Sequence, residues 1–140
     1  MFKSILVAID GSYNASQAAK LAGNLARQTY ADLWVVTAFD PVPSYLGEPN
    51  FQQAVSARME AAGEVLTKAL QDIGTIPGAL KTEVLEGPAA EAILKVASTR
   101  QVNLIVIGSR GLGTLSGILL GSQSLKVLHH APCPVLVVPS

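Results

Sequence analysis

The chain has 140 residues, 49% of them hydrophobic and only 14% charged, with ten basic side chains balancing ten acidic ones. That length suits one domain, 1–140, with a sizeable core, and the zero balance excludes the electrostatic footprint of a nucleic-acid or anionic-membrane binder. No run approaches the roughly 20 apolar residues of a membrane span. The apolar start is too short for a signal peptide, and Cys133 has no second cysteine to pair with, so a cytoplasmic protein is expected.

Ile5 to Ile9 is a continuous, β-branched apolar run closed by Asp10-Gly11, the pattern of a buried strand. Ser12 can cap a following helix, whose Ala15, Ala18, Ala19, Ala22, Leu25 and Ala26 recur at helical spacing. So many alanines imply a helix lying very close to its neighbour. A second strand is expected over Leu33–Phe39, with Trp34 in its core. Asp40 to Phe51, with three prolines and a glycine, reads as the longest irregular segment. The next helix should place Val55, Met59, Ala62, Leu66, Ala69 and Ile73 on one buried face, Met59 as core filler.

Leu80 to Glu86 alternates apolar and polar residues, marking a strand with one wet side near a sheet edge. Gly87-Pro88 then opens a third helix, buried through Ala89, Ala92, Ile93, Val96 and Ala97. Asn103 to Ile107 reads as another buried strand, followed by a short helix from Ser122 toward His129-His130. The apolar stretch Val135–Val138 should be a last strand at a sheet edge. Strands alternating with helices call for a doubly wound α/β domain with about five mostly parallel strands and helices on both faces. Ligands on such sheets bind beyond the carboxyl ends of the strands. Here those ends carry Asp10-Gly11-Ser12, Ala38-Phe39-Asp40 and the chain from Gly108 onward.

Gly108 to Ser124 reads GSRGLGTLSGILLGSQS, with five glycines between positions 108 and 121. A strand, a glycine-rich loop and a helix start form an anion cradle, because unpaired N–H groups and the helix dipole both favour negative charge. The common fingerprints fail. No lysine follows a suitable glycine for a Walker loop, and the first strand–helix turn lacks the dinucleotide glycine series. Gly111-Leu112-Gly113 meets Ser116 where a third glycine is needed, and only Asp10 fits the acids of a phosphorelay receiver.

One spacing does match. Gly108, two residues, Gly111, nine residues, then Gly121-Ser122 resembles the ATP-binding signature of the universal stress protein family. Ala8-Ile9-Asp10-Gly11-Ser12 is similar to that family's first strand and turn, and Ala131-Pro132-Cys133-Pro134-Val135-Leu136-Val137-Val138 to its last strand. The resemblance implies a five-stranded parallel sheet of the adenine nucleotide alpha hydrolase-like type, a homodimer through Val135 to Val138, and bound ATP, ADP or AMP, with or without Mg²⁺ or Mn²⁺ on the phosphates.

It further implies a division of labour. Asp10, with the backbone of Ala8 and Ile9, would border the adenosine, and Ala38 would meet the adenine edge. Gly108 and Gly111 would let the chain lie against ribose and phosphates. Gly121, Ser122, Gln123 and Ser124 would hold the phosphates, Gln123 through backbone more than side chain. Arg110 stands within reach of a phosphate or is a solvated loop residue. Each has a plainer alternative, with Asp10 capping the first helix and Ser122 and Ser124 capping the last. Gly113 and Gly117 would serve loop flexibility.

Adjacent His129 and His130 point different ways on a helix and suit its C-terminus better than a metal. Cys133 reads as a small buried hydrophobe, not a nucleophile. No general base pairs with a nucleophile, so no catalytic residue is assigned. A nucleotide-dependent stress-response or signalling dimer is the favoured expectation, with Asp40–Phe51 as its bistable element. An empty interaction module of the same fold and a slow ATPase are the alternatives.

Overall fold

The computed structural model describes residues 2–109 and 121–139. Strands β1 (Ser4–Ala8), β2 (Asp32–Phe39), β3 (Leu80–Glu86), β4 (Leu104–Gly108) and β5 (Val135–Val138) form one sheet in the order β3-β2-β1-β4-β5. Every pairing is parallel. Helices α1 (Tyr13–Thr29), α2 (Asn50–Ile73), α3 (Ala89–Thr99) and α4 (Ser122–His130) lie between the strands. The doubly wound α/β architecture is therefore as expected, with β3 and β5 at the two edges.

The pleat sorts the core into two halves. Ile5, Val7, Leu33, Val35, Leu104 and Val106 face α1 and α2, while Leu6, Val36, Ile105 and Ile107 face α3 and α4. Central strands wet on neither side explain the continuous apolar runs. The alanines of α1 do bring it close to α2. A β-carbon on Gly23 would lie 2.8 Å from the Ile73 carbonyl oxygen, and Arg27 donates to that same oxygen at 2.7 Å. At the amino ends of the strands, Asn103 Oδ1 accepts from the N–H groups of Lys3 and Ser4 at 2.8 and 2.9 Å, fixing β1 beside β4.

Several expectations need correction. Ala62, Leu66, Ala69 and Ile73 are buried, but Met59 is 47% exposed, because the first half of α2 extends beyond the sheet. Trp34 is only half-buried. It pairs in register with Lys81, and the Lys81 ammonium and the Arg100 guanidinium stand 4.9 and 4.6 Å from its ring centre. Glu83 orients Arg100 with two hydrogen bonds. The indole packs partly on the core beneath α3, and cations cover the part of the ring left open beside the edge strand β3. On α3 the buried stripe starts at Ala90 rather than Ala89. The irregular segment is shorter than expected, interrupted by a 3₁₀ turn at Ser44–Leu46 and ended by α2 at Asn50.

Candidate functional site

The chain winds outward from β1 through β2 to β3, then returns to the other side of β1 with β4. Connections leaving β1 and β4 therefore diverge to opposite faces, opening a crevice at the carboxyl ends. A cavity of about 480 Å³ lies there, within the ordinary range for a small-molecule site. Ala8, Ile9 and Asp10 follow β1 into its wall, Ala38 and Asp40 end β2, and Gly108 and Ser109 end β4. Gln123, Ser124 and Val127 of α4 form the far side.

The first wall is built by local turn chemistry. Gly11 adopts φ +84, which turns the chain sharply after Asp10. Ser12 caps α1, its hydroxyl accepting from Ala15 N–H at 3.1 Å, and Asp10 Oδ1 accepts from Ser12 N–H at 2.9 Å. Asp10 is thus not the cap but the residue that orients it. Asn14, in the first turn of α1, is buried and donates its amide to the Ser109 carbonyl. That bond fixes the direction in which the chain leaves β4.

Gly108 has a packing task beside the one its spacing suggests. A β-carbon there would lie 2.7 Å from both the carbonyl carbon and oxygen of Asn14. The residue is small so that α1 can pack against the end of β4, although its backbone also reaches the cavity. Arg110 and Gly111, with Gly113 and Gly117, lie outside the described residues.

Gly121 precedes α4 in extended conformation, and among the described residues no side chain caps the helix there. Ser122 and Ser124 are therefore not caps. Their N–H groups and that of Gln123 fall in the first turn, where a helix has no internal acceptor. Ser122 is exposed and, like Gly121, stands outside the cavity wall, while Gln123 and Ser124 are in it. The Gln123 side chain is not incidental. Its Oε1 accepts from Ala90 N–H at 2.8 Å, capping α3 from α4.

Seven of the expected residues thus surround one cavity: Ala8, Ile9, Asp10, Ala38, Gly108, Gln123 and Ser124. The sequence reading missed a fourth contribution, the turn Gly87-Pro88-Ala89 after β3, which closes the wall between β2 and α4. Its signal was the positive-φ glycine before a helix-starting proline; Gly87 has φ +126 and donates to the Phe39 carbonyl at 2.9 Å. Asn14 carried no pattern that could have singled it out.

A model described as the universal stress protein family matches residues 1–139. The chain belongs to this family. A Thermus aquaticus universal stress protein, described as lying in the QAH/OAS sulfhydrylase 3′ region, is 46% identical to this universal stress protein over 140 residues, covering 99% of each chain. Universal stress protein UspA from Lactobacillus plantarum superposes with a TM-score of 0.83 at 28% identity, over 98% of this chain and 97% of its own. The universal stress protein from Archaeoglobus fulgidus in complex with dAMP has the same fold, with a TM-score of 0.71 at 21% identity over 99% and 98% of the two chains.

His129 and His130 are exposed at the end of α4 with ring centres 6.4 Å apart, away from the cavity. Among the described residues no three His, Cys, Asp or Glu side chains gather to hold a metal. Burial pushes the Cys133 thiol pKa up, which disfavours the nucleophilic thiolate. No helix among the described residues is long and apolar enough to cross a membrane.

Proposed function

We propose that this universal stress protein binds an adenine nucleotide, ATP or one of its lower phosphates, in the cavity at the carboxyl ends of β1, β2 and β4. The observation that carries the reading is convergence. Residues assigned to adenosine and to phosphate, 113 positions apart in sequence between Asp10 and Gln123, line the same cavity. Its apolar side, Ala8, Val36, Ala38 and Ile107, suits a flat base, while the first turn of α4 offers N–H groups to an anion. The dAMP complex of the Archaeoglobus fulgidus relative is consistent with such a ligand on this fold.

The protein acts as a nucleotide-dependent stress-response or signalling dimer in the cytoplasm, not as an enzyme. The cavity's described side chains include Asp10 and Asp40 but no lysine or arginine that could stabilise a transferring phosphoryl group. Dimerisation is supported by the open edge of β5. The carbonyls of Pro134 and Val138 point into β4, so strand alternation turns the polar backbone of Val135 and Val137 outward, ready to pair with a second copy.

Nucleotide released on denaturing the purified protein, followed by calorimetric titration of the stripped protein, tests the proposal. Micromolar binding, about −8 kcal/mol, is expected. Neither released nucleotide nor binding at millimolar ATP and AMP would refute it.

A further inference from the structure

Beyond Phe39 the chain leaves the sheet but is still held. The Phe39 carbonyl accepts from Gly87 N–H at 2.9 Å. The next two carbonyls, of Asp40 and Pro41, both accept from Nη1 of Arg58, the second at 3.0 Å. Arg58 reaches them from α2. It stands four residues before Ala62 and eight before Leu66, so it carries the buried stripe of that helix past the end of the sheet. The overhang is long. A β-carbon on Gly11 would lie 3.3 Å from Val65 Cγ2, which puts Val65 level with the turn after β1. Residues 50–64, about 20 Å of helix, lie beyond it. Where α2 has no strand left to cover, its inward position is an arginine, and it meets carbonyls that the ladder leaves without partners.

Those carbonyls follow the cavity wall, in which Ala38 and Asp40 stand and Arg58 does not. The ladder between β1 and β2 closes with Ile9 N–H donating to the Val36 carbonyl at 2.9 Å. Strand alternation turns the N–H and C=O of Ala38 the same way, into the space that β1 vacates at Asp10-Gly11. One donor and one acceptor side by side match the N1 acceptor and the N6 donor of adenine. Hypoxanthine offers the same pair in reverse order. We infer that Arg58 is a positioning residue of the nucleotide site: by pinning Asp40 and Pro41 it fixes the Ala38 backbone in the orientation that admits adenine and rejects hypoxanthine. The inference rests on the proposed nucleotide reading and deepens it, adding a determinant of base selectivity that lies outside the cavity.

Arg58→Gln removes the charge and shortens the reach, and calorimetry with adenosine, inosine and AMP gives the first arm. Partial unfolding lowers every affinity by one common factor, so the ratio of adenosine to inosine affinity responds only to the shape of the site. That ratio should fall about fivefold in the variant, because a wall free to shift can pair with the reversed edge. A ratio that stays within about twofold of the parent's overturns the inference. So does a loss for AMP more than about tenfold beyond the loss for adenosine, which would make Arg58 a direct phosphate ligand. Thermodynamic reciprocity supplies a second arm on the unaltered protein. If the Arg58 tie favours adenosine over inosine, saturating adenosine favours the tie over saturating inosine by the same factor. Amide exchange in residues 50–57 should therefore be slower with adenosine bound than with inosine bound, although that part of α2 lies beyond the sheet. Equal exchange there with the two ligands overturns the inference even if the variant does not fold. Failure of the parent to bind adenosine or AMP overturns the nucleotide reading itself, which is a separate outcome.

Discussion

Gly108→Ala distinguishes a glycine kept for packing from one kept for a ligand. The new β-carbon would lie 2.7 Å from the carbonyl carbon and oxygen of Asn14 and 3.0 Å from its Cβ, about 0.7 Å inside ordinary contact for the first two. Both are backbone atoms at the start of a helix, so neither can swing aside as a side chain would. Overpacking of this kind costs about 1–3 kcal/mol. If α1 retreats, the Asn14 bond to the buried Ser109 carbonyl lengthens as well, adding about 1–3 kcal/mol for an unsatisfied group. Against this, replacing glycine restricts the unfolded chain by about 0.4–1 kcal/mol. A net loss of about 2–3 kcal/mol corresponds to a fall in Tm of about 7–10 °C for a chain of this length. The assay is thermal unfolding of protein stripped of nucleotide. An unchanged Tm with AMP binding abolished would refute the packing argument and return Gly108 to the ligand.

Ser12→Ala removes the acceptor for Ala15 N–H and should cost about 1 kcal/mol of stability in urea unfolding, with no change in m-value. Cys133, its pKa raised by burial, should alkylate with a pH midpoint above that of a free thiol, followed with iodoacetamide. A raised folded pKa contributes stability at low pH that disappears as pH climbs, so Tm should decline above about pH 8.5, more than in Cys133→Ala. Val137→Pro deletes an outward N–H of β5 while leaving the N–H of Leu136 to β4, and on the proposed dimer reading sedimentation should show a smaller species than the parent.

Legibility in the sequence followed the periodicity of burial. Central strands such as Ile5–Ile9 and Leu104–Ile107 are apolar on both faces and announce themselves, as does the alternating edge strand β3. The glycine spacing pointed to Gly108 and the start of α4 as parts of one site, and both reach the same cavity. What the spacing could not convey was which neighbour each small residue makes room for. Gly108 looks the same whether a phosphate or the carbonyl of Asn14 presses on it. Met59 and Trp34 failed for a related reason. A helical or strand pattern tells which side a residue faces, but not whether another layer stands opposite, and here α2 overhangs the sheet and β3 ends it.

Electrostatics gives the cavity its character. Asp10 and Asp40 are the charged side chains among the described residues of its wall, and both are acidic. A phosphate here would be held against that charge by direction rather than by a basic field. Direction requires rigid parts, and the wall is tied together at its weakest points. Asp10 holds the turn before α1, Asn14 holds the exit of β4, and Gln123 joins the starts of α3 and α4. Each tie uses a side-chain oxygen or amide against a backbone group that secondary structure leaves unpaired. Folding therefore sets the donors in place before any ligand arrives, and the affinity of such a site depends on how little those donors must move.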